Sequence, residues 1–272
     1  MAGIFTERLV PDNAKDNIIY NEHLVRYELA KQFVKGKRVL DIACGTGYGA
    51  KILAEAGAAK VIAVDADKGA IEFAAKNYFH PQVSYEVGSA EQLAVPDKTI
   101  DVVVSFETIE HLKNQAAFLA ELAKVVKDDG LVIVSTPNRE ASKNKNPFHI
   151  KELNREEFLK ILTAYFSKVY LWEQINGLAT VISGQDKTSG QGLISISARV
   201  QPEYFIALCS LSELPAGLEE NIIASINPTA LAVMRHNPIL KLSDKIYSQL
   251  VKLPGAKRLL LSFPRKRESK NK

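Results

Sequence analysis

Three glycines alternate with other residues directly after an apolar run in residues 39–50, VLDIACGTGYGA. An apolar run of this length is typical of a buried β-strand, and the residues after the glycines have a helical pattern. Glycines at a strand-to-helix turn allow a ligand to approach the backbone closely. Gly45, Gly47 and Ala50 also satisfy the Gly-x-Gly-x-x-Gly/Ala pattern of dinucleotide sites. The stretch predicts a nucleotide site at one edge of a sheet and leaves the nucleotide open.

β-rich runs alternate with helical patterns through the first half of the chain. The β-rich runs lie at 38–43, 60–65, 83–87, 100–106 and 130–135, and helices are predicted at 47–57, 67–79 and 114–127. This alternation predicts an α/β fold, a Rossmann-like, doubly wound, mostly parallel sheet with helices on both faces. Two later runs, KVYLWEQI and EYFIALCS, are expected to complete the sheet.

The chain is predicted to have three segments. Residues 1–210 form the α/β domain, in which an N-terminal helix over 15–35 covers the ligand site. A further helix is expected over 154–166, because Asn154 and Glu157 have the spacing of a capping box. Residues 211–253 are expected to form a helical C-terminal extension, and residues 254–272 a basic, disordered tail.

The net charge of +4 is concentrated in that tail, which carries seven Lys or Arg against one Glu and leaves the rest of the chain at −2. A slightly acidic body argues against DNA and RNA as partners, since phosphate binding needs clustered basic residues. The tail itself predicts weak contact with anionic membranes, or is only a solvated end. Without a secretory signal, an eighteen-residue apolar run or a metal spacing of its two cysteines, the chain is expected to be cytoplasmic.

Asp41 favours one nucleotide over another, because it interrupts the first strand four residues before Gly45. A carboxylate in this position repels the pyrophosphate of NAD, but suits the ammonium and sulfonium groups of S-adenosylmethionine. Asp65 ends the second strand, where its carboxylate can accept both hydroxyls of a ribose in either nucleotide. The residues thus favour S-adenosylmethionine, with a dehydrogenase as the alternative.

Four segments, RVLDIACGTGYGA, VIAVDAD, GSAEQLAVPDKTIDVVVSFETIEHL and GLVIVSTPNR, follow in an order that resembles class I S-adenosylmethionine-dependent methyltransferases over about residues 22–175. The resemblance implies methyl transfer from S-adenosylmethionine and a set of cofactor-binding residues. These are Asp41, Gly45, Thr46 and Gly47 at the methionine end, Asp65 at the ribose, Ala66, Ser89, Ala90 and Glu91 at the adenine, and Ser105 and Phe106 closing the pocket. Simple solvent exposure is the alternative for Glu91.

The segment EHLVRYELA, residues 22–30, is similar to a helix that reaches over the cofactor in this family. The resemblance implies that Arg26 or Tyr27 meets the cofactor carboxylate. An ordinary amphipathic helix is the alternative for both residues.

The segment FETIEHL carries the candidate catalytic residues. Glu107, Glu110 and His111 are spaced i, i+3 and i+4, which would bring them to one face of a helix. Two carboxylates and an imidazole suit Mg²⁺, Mn²⁺, Fe²⁺ or Zn²⁺, and such an ion would lower the pKa of an acceptor oxygen. His111 as a metal-free general base and a structural His111 are the alternatives.

FETIEHL also resembles the Glu-x-x-Glu-His element of ubiquinone-type O-methyltransferases and small-RNA 2′-O-methyltransferases. In the RNA family a further histidine completes a metal site, and His149 is the candidate equivalent. The resemblance therefore implies a metal set of Glu107, Glu110, His111 and His149.

The segments STPNR and NPFHIKELNREEF resemble bacterial methyltransferases of cell-surface glycan assembly. This implies a hydroxyl acceptor on a glycan or related small molecule. The polar loop 139–150 has the length to cover an acceptor, or is only a surface connector. An RNA 2′-O-methyltransferase and a non-catalytic cofactor-binding module of a glycan assembly complex stay as alternative functions.

Overall fold

The computed structural model describes residues 18–142, 146–176, 179–183, 201–218 and 223–226. The strands of this part of the chain form one sheet. They are β1 (Arg38–Ile42), β2 (Lys60–Asp65), β3 (Val83–Val87), β4 (Ile100–Ser105), β5 (Val126–Pro137), β6 (Lys168–Ile175), β7 (Ala179–Ser183), β8 (Tyr204–Ser210) and β9 (Ile223–Ile226). Their spatial order is β3-β2-β1-β4-β5-β8-β6-β7-β9.

The first five strands are parallel neighbours, and β8 inserts antiparallel between β5 and β6. Strands β7 and β9 extend the sheet by antiparallel pairing. The central strands are buried almost end to end, as parallel strands covered on both faces must be. The predicted doubly wound, mostly parallel sheet is confirmed.

Helices cover both faces of the sheet. They are α1 (Ile18–Ala30), α2 (Tyr48–Glu55), α3 (Lys68–Asn77), α4 (Gln115–Val125) and α5 (Arg155–Thr163). Side chains of α1, α2 and α3, among them Leu29, Leu53 and Ile71, form one hydrophobic cluster with the sheet. Phe118 of α4 and Phe158 of α5 belong to a second cluster. None of the described helices is long and apolar enough to cross a membrane.

The helix predicted over 114–127 ends two residues early. Its last residue is Val125, and β5 begins at Val126. The register of β4 against β5 then slips, because Val126 pairs with Ile100 but the next pair is Val102 with Leu131. Gly130 lies in the slip, where a Cβ would come within 2.9 Å of the Asp101 carbonyl oxygen. The bulge thus replaces the last predicted turn of helix.

The C-terminal prediction is wrong where the structure tests it. Ile223–Ile226, inside the predicted helical extension, is strand β9 and pairs with β7. Residues 211–218 form turns and irregular backbone. The remainder of the extension, the basic tail 254–272 and the start of the N-terminal helix at residue 15 lie outside the described residues. The capping box is confirmed, with reciprocal bonds between Asn154 and Glu157, both 3.0 Å.

Candidate active site

The predicted site residues meet at the carboxyl ends of the parallel strands. Strand β1 ends beside the glycine loop, β2 ends in Asp65, and β4 ends in Ser105. In doubly wound sheets ligands bind outside this edge, near the point where the strand order reverses between β1 and β4.

The glycine loop adopts backbone that only glycine takes without strain. Gly45 has φ +55° and Gly47 has φ +86°. A Cβ on Gly47 would lie 2.5 Å from the Ala74 Cβ, whereas a Cβ on Gly45 would meet nothing within 4 Å. Thr46 between them is buried. Gly47 is therefore required by packing, and Gly45 faces open space that a ligand can fill.

Asp65 braces this loop from the end of β2. Its two carboxylate oxygens accept from the backbone N–H groups of Gly45 and Asp67, each at 2.9 Å. The predicted ribose role stays a prediction, and the structure adds a bracing role for the same side chain.

Asp41 is buried and has the Tyr27 hydroxyl 3.4 Å from each of its carboxylate oxygens. Burial raises the pKa of Asp41 to about 8, opposed by the Tyr27 hydrogen bond and reinforced by the charge of Asp65. Tyr27 also packs edge-on against Phe106, with ring centroids 5.1 Å apart. The Tyr27 ring also packs directly against Gly49 of α2, where a Cβ would overlap the ring. Helix α1 is thereby locked over the loop.

Arg26 is fully buried on the same helix. Its Nε donates to Gln174 at 2.8 Å, and its guanidinium carbon lies 4.2 Å from the centre of the Tyr204 ring. Its Nη2 lies 3.8 Å from Glu107 Oε1, but neither terminal nitrogen makes a hydrogen bond within the described chain. Buried donors without acceptors are costly. The two nitrogens therefore suit a carboxylate ligand, and the role of Arg26 at the cofactor stays a prediction.

Sequence reasoning missed the residues that hold Arg26. Gln174 lies in β6, 148 positions away, and Tyr204 lies in β8. The Tyr204 hydroxyl donates in turn to Glu22 at 3.0 Å. No local pattern marks such partners, because only the insertion of β8 beside β6 brings them together.

The residues predicted to close the pocket and to contact adenine lie at or just after the ends of β4, β2 and β3. Ser105 is fully buried and lies 3.2 Å from the Ile42 carbonyl oxygen. The Ser89 hydroxyl accepts from the Glu91 N–H at 3.2 Å, and Ala66 and Ala90 keep part of their surface exposed. The Glu91 carboxylate accepts from the Asn114 N–H at 2.9 Å, at the start of α4. Their contacts with adenine stay predictions.

Glu107 does not share a helical face with Glu110 and His111, so that expectation is wrong. Glu107 has φ +51°, and only the short 3-10 helix Ile109–His111 follows it. Ser135 holds Glu107 on both sides, accepting from its N–H at 3.0 Å and donating to its carboxylate at 2.7 Å. The left-handed backbone turns Glu107 toward Ser135 and Arg26 instead.

Glu110, His111 and His149 do come together, with one candidate ligand atom from each lying within 4.8 Å of the others. Glu110 is fully buried, and its Oε2 lies 3.3 Å from the Thr136 hydroxyl. Its Oε1 makes no hydrogen bond within the described chain and lies 3.9 Å from His111 Nε2. Burial and the neighbouring charge of Glu107 raise the pKa of Glu110 well above its usual range.

The histidine rings are oriented by bonds at their other nitrogens. His111 Nδ1 lies 3.1 Å from the Phe148 carbonyl oxygen, so a proton on Nδ1 leaves the Nε2 lone pair facing Glu110. His149 Nδ1 contacts the Glu152 carboxylate, and its Nε2 lies 2.9 Å from the Asn146 side-chain amide. A carboxylate behind a histidine is the usual support of a metal-binding imidazole. The donor set and the orphaned Glu110 oxygen fit a divalent cation or a general base at His111.

This fold and this site define a class of enzyme domain. Residues 40–134 match the family model described as a methyltransferase domain. Residues 40–134 therefore resemble the domain of class I S-adenosylmethionine-dependent methyltransferases.

Two relatives illustrate the match. A Mycobacterium tuberculosis protein named "Probable S-adenosylmethionine-dependent methyltransferase" is 40% identical over 161 residues, which cover 57% of this chain and 58% of the relative. A ubiquinone biosynthesis O-methyltransferase of Azorhizobium caulinodans is 38% identical over 108 residues, covering 39% and 42%. The match thus spans about three fifths of the first relative and less of the second.

Solved structures agree on the fold. A methyltransferase structure from Thermotoga maritima superposes with a TM-score of 0.56 at 19% identity, covering 72% of this chain and 91% of that one. The structure of an S-adenosylmethionine-dependent methyltransferase from Mesorhizobium loti gives 0.53 at 14% identity, covering 71% and 99%. At these identities the likeness concerns the architecture alone.

Proposed function

We propose that this protein transfers a methyl group from S-adenosylmethionine to a hydroxyl oxygen of a small-molecule or glycan acceptor. The observation that carries the proposal is the cluster of Glu110, His111 and His149 at the sheet edge that also holds the glycine loop. Methyl transfer to a hydroxyl needs a group that accepts the hydroxyl proton or lowers the pKa of the hydroxyl. This cluster offers such a group.

The cofactor half of the proposal rests on the charge and the position of three side chains beside the glycine loop. When bound, S-adenosylmethionine supplies a methyl group on a cationic sulfur. Arg26 offers its two unbonded Nη nitrogens to the methionine carboxylate. Asp41 offers a buried carboxylate to the cationic groups, and Asp65 offers acceptors to the ribose hydroxyls. The open space at Gly45 gives room for the ligand against the backbone.

His111 acts as the general base in this proposal. Its Nδ1 lies 3.1 Å from the Phe148 carbonyl oxygen, so a proton on Nδ1 leaves the Nε2 lone pair to take the proton of the acceptor. Nε2 lies 3.9 Å from Glu110 Oε1. If a divalent cation such as Mg²⁺, Mn²⁺, Fe²⁺ or Zn²⁺ takes part, Glu110, His111 and His149 would hold it, and it would lower the pKa of the acceptor hydroxyl.

The acceptor class is supported by sequence and by position. The segments around 135–139 and 146–158 resemble methyltransferases of cell-surface glycan assembly, and the second supplies His149 to the cluster. A relative named as an O-methyltransferase aligns over 108 residues. The proposal includes a cytoplasmic location, which two buried, free cysteines, Cys44 and Cys209, support.

Two measurements test the proposal. Mass spectrometry of cell-surface polysaccharide, with and without the gene, is expected to show the loss of one methyl group on oxygen. Calorimetry is expected to show binding of S-adenosylhomocysteine. Tight NAD binding with none of S-adenosylhomocysteine would reject the cofactor, and an unchanged glycan would reject the acceptor class.

A further inference from the structure

A groove of about 460 Å³ lies next to the Glu110–His111–His149 cluster. Leu112, the residue after His111, forms part of its wall, and so do Ile150 and Lys151, which follow His149. The N–H groups of Ile150 and Lys151 donate to the Glu110 carbonyl oxygen at 2.8 and 3.1 Å. The groove is therefore built on the same backbone that positions the cluster.

The groove combines positive charge with apolar surface. Lys113 and Lys151 supply two exposed ammonium groups, and Leu112, Ile150 and Ile161 supply hydrocarbon. Of the described residues that line it, none is acidic.

Two carboxylates near this groove make contacts with neighbouring residues. Glu91 accepts from the Asn114 N–H at 2.9 Å, and Glu157 pairs with Arg139 at 2.7 Å.

Exposed apolar side chains continue this surface toward His149. Phe148 is 52% exposed and Ile150 is 54% exposed, on either side of His149. Together with the apolar wall of the groove, these side chains offer surface that an apolar part of a ligand can cover. A free sugar or a nucleotide has no hydrocarbon chain to cover them.

We propose that this groove binds the phosphate and the adjoining hydrocarbon of a lipid-linked acceptor. Lys113 and Lys151 bind the phosphate, and Leu112, Ile150 and Ile161 contact the lipid chain. The acceptor of the proposed methyl transfer is then a lipid-phosphate-linked molecule. The inference rests on the proposed function for the transferred group, whereas binding in the groove is measured without turnover.

The test is calorimetry on the full chain with dodecyl phosphate below its micelle concentration. Dodecyl glucoside, inorganic phosphate and uridine diphosphate are the comparison probes. We expect dodecyl phosphate to bind at least about tenfold more tightly than each of them, because it alone offers both a phosphate and a hydrocarbon chain. If dodecyl glucoside bound equally tightly, the proposed contact of the lysines with a phosphate would be wrong. If inorganic phosphate bound equally tightly, the proposed contact with a hydrocarbon chain would be wrong. Tighter uridine diphosphate binding would replace the lipid by a nucleotide.

Variants locate the binding in the groove. The double change Lys113→Glu and Lys151→Glu is expected to weaken dodecyl phosphate binding by about tenfold or more. Ile150→Asn is expected to weaken it by about threefold. Lys76→Glu, at an exposed lysine of α3 outside the groove, is the matched control and is expected to change nothing. An equal effect of Lys76→Glu, or no effect of the double change, would overturn the proposal.

S-adenosylhomocysteine binding is measured on every variant to show that it folds. Should the double variant fail this check, Lys113→Glu alone and Ile150→Asn carry the test. Dodecyl phosphate binding in the groove without any methyl transfer would reject the proposed function and keep the groove. Methyl transfer to an acceptor without a lipid phosphate would support the proposed function and reject the lipid-phosphate groove.

Discussion

The two sides of the candidate site hold their buried carboxylates in different ways. On the cofactor side, Asp65 bonds to backbone N–H groups of residues near it in the fold's first β-α-β unit. On the proposed acceptor side, Glu110 is buried with one oxygen unbonded within the described chain, and its neighbour His149 comes from a loop 39 residues later. The first carboxylate is part of the scaffold. The second has an oxygen that the proposed reaction would use.

This difference suggests separate roles for the two carboxylates, one in the fold and cofactor binding and one in the proposed reaction. A carboxylate satisfied by backbone amides stabilises the fold whether or not a ligand is present. A buried carboxylate oxygen without a hydrogen bond costs stability, which a protein retains where function needs the group. The comparison predicts that changes on the acceptor side affect turnover most and that changes on the cofactor side affect affinity and stability together.

The largest effect is expected at the acceptor side. His111→Ala should lower turnover by about a hundredfold or more, the scale of general-base loss, and leave S-adenosylhomocysteine affinity unchanged. Glu110→Gln should approach it, whereas Glu107→Gln should cost much less, because its amide oxygen can still accept from Ser135. Steady-state kinetics of the three variants with the methylated acceptor measures the ranking. Similar losses of turnover in both Gln variants would contradict the separate roles of Glu107 and Glu110.

Chelation tells the two mechanisms at His111 apart. If the cluster holds a metal, a chelator abolishes turnover, one divalent ion restores it, and Glu110→Gln requires more of that ion. If His111 acts without a metal, the chelator changes nothing. Full activity of His111→Ala in the presence of chelator would leave catalysis to positioning alone.

A smaller effect is expected at the cofactor side. Asp65→Ala and Arg26→Met should each weaken S-adenosylhomocysteine binding about tenfold to a hundredfold, since each loses a hydrogen bond to a charged group. They should differ in stability. Asp65→Ala removes the brace of the glycine loop and lowers the melting temperature. Arg26→Met leaves Gln174 without its donor and Glu107 without its cation, and lowers the melting temperature further. Unchanged affinity in either variant would reject that contact.

A pH-dependent effect is expected from Asp41 in the absence of cofactor. Its pKa is raised to about 8 in the folded chain, so the folded state keeps a proton that the unfolded state releases from about pH 4 upward. The wild type should therefore lose stability, relative to Asp41→Asn, as pH rises from about 4 to about 8. Denaturant unfolding of both proteins at pH 5 and pH 8 measures the difference. A difference that does not change with pH would mean that Asp41 is ionised in the folded chain.

The smallest effect is expected from removal of residues 264–272. This stretch has little apolar surface to bury, so its loss should leave the melting temperature and cofactor binding unchanged. Thermal unfolding and calorimetry check this, and a fall of several degrees would contradict it. Loss of binding to anionic vesicles alone would reveal a membrane-surface role for the tail.

Sequence alone predicted the side of the site that is local. The glycine loop and Asp65 lie within one β-α-β unit, and hydrophobic period and glycine spacing record such units directly. The i, i+3, i+4 spacing of Glu107, Glu110 and His111 misled, because a single residue with positive φ breaks the helix that the spacing assumes.

The contacts between residues of distant strands could not be predicted from the sequence, for a different reason. Arg26 meets Gln174 and Tyr204 only after β8 inserts between β5 and β6. Strand β9 was read as helix, because its short run carries no alternation that separates the two. Pairing partners far apart in the chain leave no local periodicity to read.

The packing of Tyr27 on Gly49 has a kinetic consequence. Helix α1 carries both Arg26 and Tyr27, and it lies so close to α2 that a Cβ on Gly49 would overlap the Tyr27 ring. If Arg26 holds the cofactor carboxylate, we expect the release of the used cofactor to require α1 to move away from α2. We expect product release to be slow, and a stopped-flow measurement of S-adenosylhomocysteine dissociation to report the opening rate of one helix.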